Sequence, residues 1–317
     1  MPAIFAWRSA KRLTGIAAAL CFALMLFTHG SVAADSVERS VLLCGRVLLP
    51  SLFPFFIVSS LLGEYLPGSV LSRLAGKVFQ KLFHLPGDCF FVPIMGALGG
   101  YPVGAKLAAQ FFRDGRCSEN EAVRLLVFSN NAGPAFVIGA IGTGLLHDRR
   151  TGLLLLGAHL FTSWAIGLIY SAKSTTVKAN NFTDNSKEPS FISALLHAVT
   201  DGFSAFLTVC AFVIFFGIVI DLLRRCIPFP AGAAPAVLMG CLEMTTGISM
   251  LCAAPLSPLV RLPAIAFLLG WGGASVQLQT VQLLRQGGLP CGAYLLAKLV
   301  QGMASALAVF AAAAFLQ

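Results

Sequence analysis

GALGGYPVGAK, Gly96 to Lys106, lies inside an apolar segment long enough to cross a bilayer, yet it breaks its own helix with glycines and a proline and closes on a lysine. In hydrocarbon an unsatisfied backbone N–H or C=O is costly, so such a break survives only inside protein or along a watery cavity. Pro102 suits the first position of a new half-helix, where its missing N–H is no loss. That half-helix would aim its positive end, and Lys106 one turn in, at whatever fills the cavity. A lysine at such depth costs about 2.5–3.5 kcal/mol on insertion scales, which argues for a function or a partner. The competing account is close helix packing through small residues. Gly99 and Gly104 have phosphate-loop spacing, but the lysine comes one residue late and Leu107 follows it where a hydroxyl should stand, so this is not a nucleotide-hydrolysing loop.

The whole chain is membrane-like. Of 317 residues 57% are hydrophobic and 11% charged, with mean hydropathy +0.83, whereas soluble domains carry roughly a quarter charged residues. The net charge of +9 is scattered over short loops and not gathered on a face, which fits the positive-inside rule and not nucleic acid. Nine cysteines form no C-x-x-C pair and five histidines show no ligand spacing, so the cysteines read as buried thiols and no metal or cofactor is expected. Without H-E-x-x-H or G-x-S-x-G, an intramembrane protease has no support and the chain reads as a non-enzyme.

Residues 1–34 have a basic start, an apolar run and a small-residue tract, which suits a signal peptide or a first membrane helix equally. Apolar segments follow at 41–66, 88–112, 121–145, 151–171, 192–223, 231–259, 262–284 and 290–316, divided by one long polar stretch. The predicted organisation is repeat 1 at 35–171, a cytoplasmic linker at 172–190 and repeat 2 at 191–317. Within them lie hairpins at 88–112 and 231–259 and broken helices at 121–145 and 262–284. MGCLEMTTG answers the first Gly-rich break, and GWGGAS answers SNNAGP. Matched interruptions in two halves point to a transporter with a midplane site. If each second segment is a re-entrant hairpin, each half crosses three times and the halves are inverted. Thirteen Lys and Arg then lie in the cytoplasm and seven outside, Arg46 among the latter, with Lys106 and Lys298 inside the membrane. The predicted fold class is therefore all-α: a polytopic membrane protein of two inverted repeats, each with a re-entrant hairpin and a broken helix.

The candidate site residues come from these interruptions. Gly100, Tyr101 and Lys106 come from the first. Glu243 is the single acid between Pro228 and Leu284; it suits a coupling cation, a proton or solute, or else a salt bridge to Lys106. Thr245 or Thr246 would cap the next half-helix and Gly247 would permit close approach. Asn130 and Asn131 offer donors and acceptors for lining a break, with a capping role as the rival. Ser275, Gln277 and Gln279 follow the last glycines, Ser275 and Gln279 sharing a helical face, with polar glue between helices as the alternative. Asp201, His197, Glu64, Arg124 and Asp221 read as interfacial. Lys298 has no assigned role.

GYPVGAK, NNAGPAFVIGAIG, the E-M-T-x-G of LEMTTG, GWGGASVQLQ and the opening helix SLFPFFIVSSLL resemble, in order and over about residues 40–316, the YlbJ sporulation integral membrane proteins. These belong to the wider gate, or nucleoside-recognition, group. Asn131 stands where that family is expected to have serine, and Gln277 where histidine is common. The resemblance implies a fold similar to concentrative nucleoside transporters, with two re-entrant hairpins and two broken helices around a central solute. It also implies a role in endospore formation, with movement of dipicolinic acid as the task. A dianionic aromatic acid would suit half-helix N-termini and Lys106; a nucleoside would suit the Asn, Gln and Glu set.

The expected function is alternating-access secondary transport of a small polar solute, with dipicolinic acid as the expected solute. A nucleoside or other small-metabolite transporter, or a non-transporting scaffold for spore-envelope assembly, is the alternative. Sodium or proton coupling and a homo-oligomer are both compatible with the sequence. The expected location is the bacterial cell membrane, and the forespore membrane if the sporulation reading holds.

Overall fold

The computed structural model describes residues 2–65, 70–172, 190–227, 230 and 232–315. The predicted linker, 172–190, falls almost wholly outside the described residues, as do its three lysines. Every regular element among the described residues is helical. Five helices are long and apolar enough to cross a membrane: Gly30–Tyr65, Arg149–Ser171, Phe191–Cys226, Pro258–Gln286 and Gly292–Phe315. The chain is a multi-pass membrane protein.

Helix α1, Pro2–Thr28, precedes α2, Gly30–Leu43, which runs through a π-helical stretch, Cys44–Leu48, into α3, Leu49–Tyr65. The expected 41–66 segment is thus the second part of a longer helix. The next element, α4, Val70–Phe83, was not expected; its axis meets the helix that follows at 89°. Leu74, Val78 and Leu82 form an exposed apolar stripe at four-residue spacing, while Phe79 and Phe83 turn inward to stack with Phe128. Lys77 and Lys81 flank that stripe, a pattern suited to the membrane–water interface.

Each predicted hairpin is a pair of short helices. A 3-10 turn at Gly87–Phe90 leads into α5, Phe91–Gly99, which packs on α6, Val103–Arg113. In the second half, α10, Ala233–Leu242, packs on α11, Met244–Ala253. Glycines close both turns: a methyl on Gly96 would touch Gly104 Cα at 3.0 Å, and one on Gly247 would overlap Gly240 Cα. The first turn needs a left-handed residue, and Gly100 supplies it with φ +79.

The broken helices differ from one another. The first splits fully into α7, Glu119–Ser129, and a π-helical stretch, Ala135–Leu145, separated by the extended NNAG. A capping box from Ser118 and Glu121 starts α7, and Asp148 caps the following α8, Arg149–Ser171. The second keeps its course, as α12, Pro258–Trp271, and α13, Gly273–Gln286, form one apolar span interrupted at Gly272. Left-handed φ values of +84 and +75 at Gly272 and Gly273 make that interruption.

The long α9, Phe191–Cys226, packs on α3. The last helix, α14, Gly292–Phe315, packs on α12 and on α8, and α8 packs in turn on the Ala135–Leu145 stretch. All nine cysteines are free.

Candidate functional site: a pocket between hairpin tips and helix breaks

The two hairpins seat themselves on the breaks. The carbonyl of Ser129, last residue of α7, fits against Gly96 and Gly104, where any side chain would collide with it. The first tip touches the first break directly, since a methyl on Gly133 would lie 3.1 Å from Gly100 N. The second tip does the same, with Gly273 so placed that its methyl would lie 2.9 Å from Met244 N. Tyr101 ties the first tip to the other half: its hydroxyl donates to Leu269 O at 3.0 Å. Both tips and both breaks therefore meet.

A cavity of about 50 Å³ lies where they meet. Its walls come from both halves of the chain. Leu48 and Leu52 of the first long helix face Val209 and Val213 of α9. Gly100 and Tyr101 of the first tip stand opposite Glu243, Met244 and Thr245 of the second. Ala132, Gly133 and Phe136 of the first break oppose Ser275, Val276 and Gln279 of the second.

The electrostatics follow from helix ends. Four short helices begin around this centre: the Ala135–Leu145 stretch, α11 and α13 beside the cavity, and α6, whose N-cap Pro102 and first residue Val103 line a neighbouring one. Three of these starts have no side-chain cap. At the fourth, Glu243 is itself the cap, accepting from Thr245 N at 3.0 Å and Thr246 N at 2.7 Å, and from the Thr245 hydroxyl. Its charge is spent on the start of α11. Ser275 and Gln279 are 1% and 2% exposed, and neither Ser275 Oγ nor the Gln279 amide atoms find a partner in the protein. Buried polar atoms left so beside a cavity are set for a ligand or water.

Of the predicted site residues, Gly100, Tyr101, Glu243, Thr245, Ser275 and Gln279 line this cavity. The others do not. Lys106 forms no bridge to Glu243; its Nζ pairs with Asp201 at 3.0 Å, and Asp201 lies near His197, which faces Glu64. One turn beyond the tip, Lys106 is carried away from the centre, and Asp201 is its partner, not a stray interfacial acid. Neither threonine caps α11 with its side chain, because Glu243, one residue before the helix, already accepts both amides. Gly247 closes the second hairpin. Gln277 donates to the Trp271 carbonyl and so braces the second break. Asn130 and Asn131 are fully buried behind the pocket. Asn130 donates to Thr280 Oγ1 at 3.0 Å and Tyr294 OH at 2.8 Å. Asn131 donates to Phe128 O and accepts from Gln301.

The residue that motif reading left without a role sits at the middle of that network. Lys298 is fully buried, donates to Asn130 O at 2.6 Å and to Gln301 Oε1, and stands 5.2 Å from the centre of the Tyr101 ring. Among the described residues no carboxylate pairs with it. His159, equally buried, accepts from the Ala132 amide at 3.1 Å, which makes Nε2 its unprotonated nitrogen. The signal was available: Tyr294, Lys298, Gln301 and Ser305 fall on one face of α14, and all four are buried.

With this geometry in place, the likeness to known proteins can be weighed. No family model matches the chain, and no solved structure does. A curated relative, the sporulation integral membrane protein YlbJ of Bacillus subtilis (strain 168), is 28% identical over 321 residues, covering 90% of this chain and 78% of the relative. The match supports the YlbJ family. That relative is by its name an integral membrane protein, in keeping with the five apolar spans of this chain.

Proposed function

We propose that the chain is a secondary transporter of a small polar solute, working by alternating access around the central pocket, with its halves as inverted repeats. Dipicolinic acid, moved during endospore formation, is the leading solute. One observation carries this reading: both tips and both breaks wall a single cavity that the unpartnered Ser275 and Gln279 line, beside the uncapped starts of the Ala135–Leu145 stretch and α13. Uncapped helix starts suit carboxylates. Glu243 does not oppose them strongly, because α11 already satisfies it. Anion recognition in this form needs no help from Lys106.

A cavity of about 50 Å³ holds a few waters and no aromatic acid. On this reading the cavity belongs to a closed state, and loading requires one tip to withdraw. Each tip meets its break largely through glycine backbone, and withdrawal of a tip must break the hydrogen bond from Tyr101 to Leu269 O or that from Trp271 to Cys241 O. A proton or sodium ion is the expected coupling partner. A nucleoside is the second reading, favoured by the Glu243 carboxylate and the Gln279 amide, which together match a base edge or a ribose.

The test is uptake into proteoliposomes of labelled dipicolinate and of labelled uridine, by the unaltered protein, Gln279→Leu and Glu243→Gln, with and without sodium or a pH gradient. Dipicolinate uptake by the unaltered protein, reduced at least tenfold in Gln279→Leu, is the expected result. Uridine uptake alone would favour the second solute. No uptake of either, in a folded protein, would leave a spore-envelope scaffold as the better reading.

A further inference from the structure

Three cavities lie in file along one helix. The central pocket takes Leu48 and Leu52 from it. Further along, Phe56, Ser59 and Ser60 line a small cavity of about 30 Å³ that also holds Lys106 and Gln110. In the other direction, Arg46, Val47, Pro50 and Ser51 line a cavity of about 690 Å³. From Arg46 to Ser60 is roughly 21 Å of helix, most of a bilayer core. The large cavity shares Phe136 and Thr245 with the central pocket. The small one adjoins it across the first tip, where Tyr101 lines one and Pro102 the other.

The charges at the two ends differ. At the small cavity Lys106 is neutralised by Asp201. At the large one Arg46 is the single charged lining residue, with Ser51, Thr245 and Ser249 as its polar company. Among the described residues Arg46 has no carboxylate partner. It lies in the Cys44–Leu48 π-helical stretch, and the facing wall is the other π-helical stretch, Ala135–Leu145, through Phe136, Gly139 and Gly144. π-helical turns inside α-helices recur at functional sites. Arg46 is exposed at the outer end of its apolar span and lacks a protein counter-ion among the described residues, so it is placed to receive a mobile anion at the mouth of the cavity. The guanidinium offers a planar fork of donors that matches a carboxylate or phosphate.

We propose that the Arg46 cavity is an anion-binding vestibule. It receives a soluble carboxylate or phosphate group and passes it along α3, between Phe136 and Thr245, into the central pocket. The direction of passage rests on the transport reading above; the anion site itself does not. The charge bias of the loops puts this mouth on the outer side of the membrane.

The test is calorimetric titration of the full chain in phosphatidylcholine nanodiscs with inorganic phosphate, comparing the unaltered protein, Arg46→Gln, Arg46→Lys and Gln279→Leu. Phosphate held at the vestibule is told from phosphate held in the central pocket by the Gln279→Leu arm. Binding that weakens with added salt, falls at least tenfold in Arg46→Gln, is partly kept in Arg46→Lys and is unchanged in Gln279→Leu is expected. Equal phosphate binding by Arg46→Gln, or none by the unaltered protein, would overturn the vestibule. So would loss of that binding when the titration is repeated in nanodiscs containing phosphatidylglycerol, since the site would then hold a lipid headgroup. Loss of phosphate binding in Arg46→Gln alongside absent dipicolinate uptake would keep the vestibule and remove the transport reading.

Discussion

Lys298 holds the main chain of the first helix break, its Nζ 2.6 Å from the carbonyl oxygen of Asn130. That carbonyl belongs to the cap of α7, where a half-helix ends within the membrane and exposes its negative pole. A cation there offsets the dipole and satisfies an oxygen that lipid could not. The break is thus stable because a side chain from the far end of the sequence completes it.

Lys298→Met keeps the length of the side chain and removes the charge. It should lower stability by about 2 kcal/mol, the scale of a charge-assisted hydrogen bond lost with its acceptor left buried. Thermal unfolding in detergent measures this. An unchanged midpoint would mean that Asn130 and Gln301 rearrange without it.

The hairpins should tolerate no side chain at their crossing points. Gly104→Ala and Gly247→Ala each drive a methyl into backbone, against Ser129 O and Gly240 Cα respectively. A loss of about 1–3 kcal/mol is expected for each. Gly139→Ala, with nothing within 4 Å of the new methyl, is the control and should be near neutral. Yield of monodisperse protein and its melting temperature report all three.

Glu243→Ala removes the cap of α11 together with the acid of the pocket. The cap alone is worth about 1 kcal/mol. Glu243→Asn, a strong capping type without charge, should recover most of that stability but not solute binding. Recovery of both would reduce Glu243 to a structural cap.

The Lys106–Asp201 pair is partly open to solvent, with the two side chains 30% and 39% exposed. Lys106→Ala should cost no more than about 0.5 kcal/mol. Reversing the pair, Lys106→Asp with Asp201→Lys, should restore whatever either change removes, as read by melting temperature and uptake. A total loss of binding in Lys106→Ala would place the lysine in the pocket after all.

The breaks were legible because glycine, proline and polar residues inside an apolar run have few structural uses. The seating of each tip on a break was legible only as pattern, in the order of GGYPVG, NNAGP, LEMTTG and GWGG. Which side chains face the cavity was harder. Lys106 stands one turn past the tip, and that turn carries it to Asp201, a residue 95 positions away. Asn130 and Asn131 sit in a true break, yet α14 covers them, and no local spacing reveals which helix lies behind a break. Lys298 was missed because its partners are a backbone carbonyl and an amide, neither of which shows in a search for paired charges. Its own helix did carry the sign, as one buried polar face. The α4 helix escaped notice because an amphipathic surface helix lacks a long apolar run.

The central claim is that a solute is held between the hairpin tips and the helix breaks. An experimental structure in lipid nanodiscs with saturating dipicolinate tests it most directly. Density for the acid bounded by Tyr101, Ser275 and Gln279, with one hairpin tip drawn back from its break, is the predicted result. An unoccupied, closed centre at saturation, or the acid bound only elsewhere, would contradict it.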